Sequence, residues 1–143
     1  MQGDGEKFIA ALEERAAAMV KACTLCADCV TACPMINGDD KASFVGGVVD
    51  LLRSGGAEGS DAWINACTAS GFCIPACPEG LNPRFMLAAA RMMMKRHQTG
   101  AEAARKTSTA GYRKMSQGVR ALSRLQLAPE VEPASTESAA VRA

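Results

Sequence analysis

Seven cysteines, all inside two short stretches, constrain this chain more than anything else in it. The first stretch runs Cys23-Thr24-Leu25-Cys26-Ala27-Asp28-Cys29-Val30-Thr31-Ala32-Cys33-Pro34, a C-x2-C-x2-C-x3-C-P spacing. The second, Cys67-Thr68-Ala69-Ser70-Gly71-Phe72-Cys73-Ile74-Pro75-Ala76-Cys77-Pro78, repeats it with Ser70 in the second cysteine position. Cysteines three residues apart in a tight, irregular turn aim at a common centre and leave backbone N–H groups free to face the sulfurs. Pro34 and Pro78 donate no hydrogen bond and hold the chain in a fixed direction as it leaves each loop. The last cysteine then points away from its own trio, so two such loops can exchange their fourth ligands.

This spacing is that of iron–sulfur ligand runs, in which three thiolates grip one cluster and the fourth serves its neighbour. Structural zinc uses separated C-x2-C pairs that close one tetrahedral site, a poor match to four cysteines in one run followed by a near-repeat. A disulfide framework needs an oxidising compartment and favours an even count, whereas seven is odd and no apolar leader heads the sequence. The motifs therefore read as ligands for two clusters, and the cysteine usage suits a reducing cytoplasm.

At 143 residues the chain allows one compact domain. Aromatics are scarce, so the core is expected to be thin, and bound clusters then supply cross-links as metals do in other small domains. No apolar run has the length of a membrane span. Charge is uneven. Residues 1–83 hold five basic residues against eleven acidic ones, and residues 84–124 hold ten basic residues against Glu102 alone. That asymmetry suggests a docking surface or an anionic partner, with a solvated basic tail as the plainer alternative. No binding motif or interleaved aromatic side chain points to nucleic acid.

In chain order, residues 4–22 read as an amphipathic helix. Asp4 is its N-cap, and Phe8, Leu12, Ala16 and Met19 lie at helical spacing. Residues 23–34 form the first cysteine loop, and Asn37-Gly38-Asp39-Asp40 is turn chemistry. Residues 41–53 return to helical spacing. Gly46-Gly47 in their midst implies either a close approach of another backbone or a cluster, or a bend. Ser60 reads as the cap of a short helix through Ala66 that carries Trp63, the only tryptophan. Trp63 reads as packing, with contact to a partner or quinone as the alternative. Asn82 as cap and Pro83 as first residue start a helix that runs to about Gln98 and ends at Gly100. Met86, Met92, Met93 and Met94 are expected as core fillers rather than iron ligands, and His97 as a helix-end residue. Residues 101–127 are basic, weakly amphipathic and a candidate docking segment. Residues 128–143 have the composition of a disordered tail. The resulting domain boundary is 4–100.

Helices around each cysteine loop and no strand signal give an all-α fold. The chain resembles the α-helical ferredoxin domain over about residues 8 to 98. That domain occurs as the C-terminal half of succinate dehydrogenase and fumarate reductase iron–sulfur subunits and in the small iron–sulfur subunit of heterodisulfide reductase. Cys23–Pro34 and Cys67–Pro83, including Cys77-Pro78-Glu79-Gly80-Leu81-Asn82-Pro83, carry the resemblance. It implies that Cys23, Cys26, Cys29 and Cys77 hold a [4Fe–4S] cluster. It also implies that Cys33, Cys67 and Cys73 hold a second, [3Fe–4S] cluster, or a [4Fe–4S] cluster with Ser70 as candidate fourth ligand. The departures are specific. Heterodisulfide reductase-like subunits carry a cysteine where Ser70 stands. The dehydrogenases have a [2Fe–2S] domain that this chain lacks, tryptophans where Met35-Ile36-Asn37-Gly38 stands, and a histidine where Thr68 stands. These last differences argue against quinone reduction.

No nucleophile–base constellation is visible, so substrate chemistry is expected to belong to a partner. The first functional reading is an electron-transfer subunit between a flavoprotein or other redox partner and a cysteine-rich catalytic subunit, with any membrane association peripheral and through that partner. The second is a structural or redox- and iron-sensing cluster protein whose basic C-terminal segment binds a partner.

Overall fold

A computed structural model describes residues 2–126, with the side chains of Gln2 and Asp4 not described. Among the described residues there are six helices and no strand: α1 (Gln2–Ala22), α2 (Asp28–Thr31), α3 (Lys41–Arg53), α4 (Ala62–Ala66), α5 (Pro83–Thr99) and α6 (Ala101–Gln126). The all-α expectation therefore holds. None of these helices is long and apolar enough to cross a membrane. The chain divides into two compact units, one of residues Gln2–Ala101 and the other beginning at Glu102.

In the first unit α3 and α5 form the centre, packed on each other and both against α1 and α4, with the single turn of α2 resting on α3. The reason lies in the apolar stripes. Val45, Val48, Val49, Leu51 and Leu52 of α3 are buried, as are Met86, Leu87, Ala89, Ala90 and Met93 of α5. The small Ala89 and Ala90 let the two helices come close, and the methionines fill the irregular space left. Met92 and Met94 pack at the edge of the same core, which bears out the reading of these methionines as packing. Arg91 ties α5 to α4 by donating to the Ile64 carbonyl, and Arg15 of α1 lies over the Phe85 ring at 4.7 Å.

The helix ends follow local rules where a cap is present. Asn82 accepts from the Phe85 N–H at 3.0 Å and Pro83 opens α5. Gly100, at φ 79°, ends it. Asp40 accepts from the Ser43 N–H at 3.3 Å at the start of α3.

Several expectations need correction. The first helix begins at Gln2, so Asp4 lies within its first turn rather than at its cap. Ala16, Met19 and Val20 of its stripe are buried, but Phe8 is 63% exposed, because the packing reaches only the C-terminal half of α1. The first cysteine loop contains a helical turn, α2, and is not irregular throughout. Asp61, without a side-chain bond, occupies the cap position of α4, and Ser60 instead accepts from the Ala62 N–H at 3.4 Å. Residues 101–126 form one continuous helix whose amphipathicity is strong rather than weak. Tyr112, Met115, Val119 and Leu122 recur along one face and are all exposed, while Lys106, Arg113, Arg120 and Arg124 recur at helical spacing along another. The expected disordered tail, 128–143, lies outside the described residues.

The double glycine of α3 has a definite cause at one position. A Cβ on Gly47 would stand 2.6 Å from the Ser60 Cβ and 3.0 Å from its backbone nitrogen, whereas Gly46 faces open space. The approaching group is the loop before α4, whose Ser60 N–H donates to the Gly47 carbonyl at 3.3 Å. Gly56, at φ 94°, is tighter still: a Cβ there would collide with the backbone of Met93 and Met94. The loop after α3 thus lies directly on α5, which positions α4 and the cysteine loop that follows it.

Candidate metal centre

The two cysteine loops share three backbone hydrogen bonds, although only the first closes a helical turn. In the first, Val30 N–H donates to Ala27 O at 3.1 Å, Cys33 N–H to Val30 O at 3.0 Å and Ile36 N–H to Cys33 O at 3.4 Å. In the second, Ile74 N–H donates to Gly71 O at 3.0 Å, Cys77 N–H to Ile74 O at 3.4 Å and Gly80 N–H to Cys77 O at 3.1 Å. The donors and acceptors are equivalent positions of the two motifs. Backbone sign changes also coincide. Leu25 (φ 58°) matches Ala69 (φ 60°), and Ala27 (φ 64°) matches Gly71 (φ 85°).

Leu25, Ala27 and Ala69 are the only non-glycine residues with positive φ among the described residues. That conformation costs an L-residue about 1–2 kcal/mol, and such strain concentrates where a site demands it. Alternating the sign of φ turns successive N–H groups toward one side of the chain, the arrangement that forms anion-binding concavities. One such donor is paired: the Ala69 N–H donates to the Cys67 Sγ at 3.4 Å.

None of the seven cysteines is in a disulfide. Cys23, Cys26, Cys29 and Cys77 line one cavity together with Val45, Val48, Trp63, Leu81, Pro83 and Met86. Cys77, from the second loop, thus joins three cysteines of the first, as the ligand exchange requires. Burial pushes the Cys29 thiol up to about 12, and the neighbouring charges of Cys23, Cys26 and Cys77 press in the same direction. Burial likewise raises Cys73, with Cys67 and then Cys33 as its charged neighbours. Cys33 of the first loop therefore lies close enough to Cys73 of the second to act on its charge. Both Ser70 and Cys26, its counterpart in the first loop, are exposed.

Among the described residues no three histidine, cysteine, aspartate or glutamate side chains converge to hold a single metal ion. The four thiols of the first set line one cavity, and thiolates are soft donors that suit thiophilic metals. Four thiolates crowded into an apolar cavity would repel one another. A cationic group bound among them would offset that repulsion and favour loss of the thiol protons. A second observation fits a group with exposed sulfur acceptors. Trp63 is 3% exposed, and its Nε1–H is the one buried side-chain donor without a partner among the described residues.

The sequence reading treated Trp63 as packing, which its burial bears out, but it did not foresee that Trp63 shares a cavity with four thiols. The only local hint was its place just before Cys67. The apolar wall from α3 and α5 was equally illegible, because it arises from helix packing. Comparison with protein-family models, with curated proteins and with solved structures finds no match to this chain.

Proposed function

We propose that the chain is an iron–sulfur electron-transfer subunit of the α-helical ferredoxin type, relaying single electrons between a flavoprotein or other redox partner and a cysteine-rich catalytic subunit of an oxidoreductase complex. The observation that carries this reading is the regrouping of the cysteines. Cys77 lines a cavity with Cys23, Cys26 and Cys29, while Cys33 and Cys67 both lie near enough to Cys73 to act on its charge. In this reading the first four would hold a [4Fe–4S] cluster. The other three would hold a [3Fe–4S] cluster, or a [4Fe–4S] cluster completed by Ser70. Clusters at these sets supply reversible one-electron transfer.

The chain's own residues do the rest. Val45, Val48, Leu81 and Met86 give the first set an apolar wall, and the positive-φ residues orient backbone donors around the thiols. Cys67 and Cys73 of the second set lie in a loop where Phe72 and Ile74 are exposed, a surface on which a redox partner can rest. A reducing cytoplasm keeps the seven thiols available for ligation.

The test is anaerobic purification with iron, sulfide and EPR analysis. Two clusters that titrate reversibly, with a [3Fe–4S] signal near g = 2 in the oxidised state, are expected by resemblance. Bound zinc with no acid-labile sulfide would overturn the reading.

A specific observation favours keeping the second reading, a structural or sensing cluster protein. The exposed apolar face of α6 and its basic residues form a surface suited to a partner with acidic and apolar groups. Cluster loss that changes partner binding would support sensing. Reversible titration with turnover by a partner supports electron transfer.

A further inference from the structure

Trp63 reaches the first cysteine set from α4, an element that supplies none of the thiols. Its ring is buried and its Nε1–H has no acceptor. A buried N–H left unpaired is unfavourable, and native interiors rarely retain one without a reason. The cavity that Trp63 lines is walled by Val45, Val48 and Leu81, which offer no side-chain acceptor, and by Met86, whose thioether accepts only weakly. No side chain or backbone carbonyl among the described residues accepts from the indole. A cluster held by the four cysteines that line the same cavity would bring further sulfur acceptors to it.

We propose that the Trp63 indole N–H donates a hydrogen bond to a sulfur of the cluster that Cys23, Cys26, Cys29 and Cys77 would hold, and so raises its reduction potential. This rests on the cluster reading above. The sign follows from charge. The reduced group carries one more negative charge than the oxidised group, so a donor at its sulfur stabilises the reduced form more. Trp63 is thus a tuning residue, in addition to filling space beside α3 and α5.

The chain contains one tryptophan, which makes the test unambiguous. Protein grown with indole-¹⁵N tryptophan carries the label at Trp63 alone. Pulsed EPR of the reduced full-length protein should then show a ¹⁵N coupling to the first cluster. In a Trp63→Phe variant of equal iron and sulfide content, the reduced-to-oxidised ratio at fixed potential should fall about tenfold, which is about 59 mV for one electron. A purely space-filling role would lower stability and leave the potential in place. A loaded wild-type cluster with no ¹⁵N coupling, together with an unchanged potential in the variant, overturns the hydrogen bond alone. A wild-type chain that binds no iron overturns the cluster reading and the bond with it. If Trp63→Phe fails to fold, the ¹⁵N coupling in the unsubstituted protein decides.

Discussion

The two cysteine loops share much of their backbone pattern but not an environment. Three hydrogen bonds fall at equivalent positions, and φ is positive at equivalent residues. The first loop nevertheless places three of its thiols in a cavity walled by α3, α4 and α5. The second leaves Ile74 37% exposed, where its counterpart Val30 in the first loop is fully buried. Loop conformation thus follows from the repeated local sequence, whereas solvent access follows from what packs on it. Two sites with the same local scaffold can in this way acquire different ligands, polarity and potential.

The most severe break of this comparison is an exchanged ligand. Cys77→Ser should abolish the cluster of Cys23, Cys26 and Cys29, and Cys33→Ser that of Cys67 and Cys73, each measured by iron content and Mössbauer spectra. Loss confined to the mutated loop's own trio would refute the exchange. Ser70→Cys should make the loops alike. The g = 2 signal should disappear and a second [4Fe–4S] spectrum replace it. Two intact cubanes in the anaerobic wild type would show that Ser70, or an outside ligand, already completes the second site.

A smaller effect is expected where the second loop enters α5. Asn82→Ala removes the acceptor for the Phe85 N–H and should cost about 1 kcal/mol in chemical denaturation, with both clusters retained. The mildest test lies inside the loops. Gly71 has φ 85°, and a Cβ there would meet only the Ile74 Cδ1, at 3.9 Å. Its counterpart Ala27 already bears a Cβ in the same conformation. Gly71→Ala should therefore retain the second cluster at a cost of about 1 kcal/mol. Loss of that cluster would show that the loops are less alike than their backbones indicate.

The local signals were legible to different degrees. Asn82-Pro83 and Gly100 gave the bounds of α5 because capping involves only residues within one turn of each other. Ser60 misled by one residue, since its hydroxyl can accept from Ala62 without capping the helix. The helicity of residues 101–126 was understated because Gly111 and Gly118 interrupt the stripe of Tyr112, Met115, Val119 and Leu122 when it is read as a string. The double glycine of α3 left close approach and bend open. Only the position of Ser60 against Gly47 identified the approaching group, the backbone of the loop before α4.

By itself the sequence determined the all-helical character, the two cysteine loops and their repeated turns, because these depend on spacing, capping and φ preferences over a few residues. Tertiary structure decided which thiols share a cavity, which apolar side chains wall it, and that an indole N–H would be buried there without a partner. Those relations join residues from α3, α4, α5 and two loops. They depend on how the apolar faces of α3 and α5 meet, and no local stretch of the chain encodes that contact.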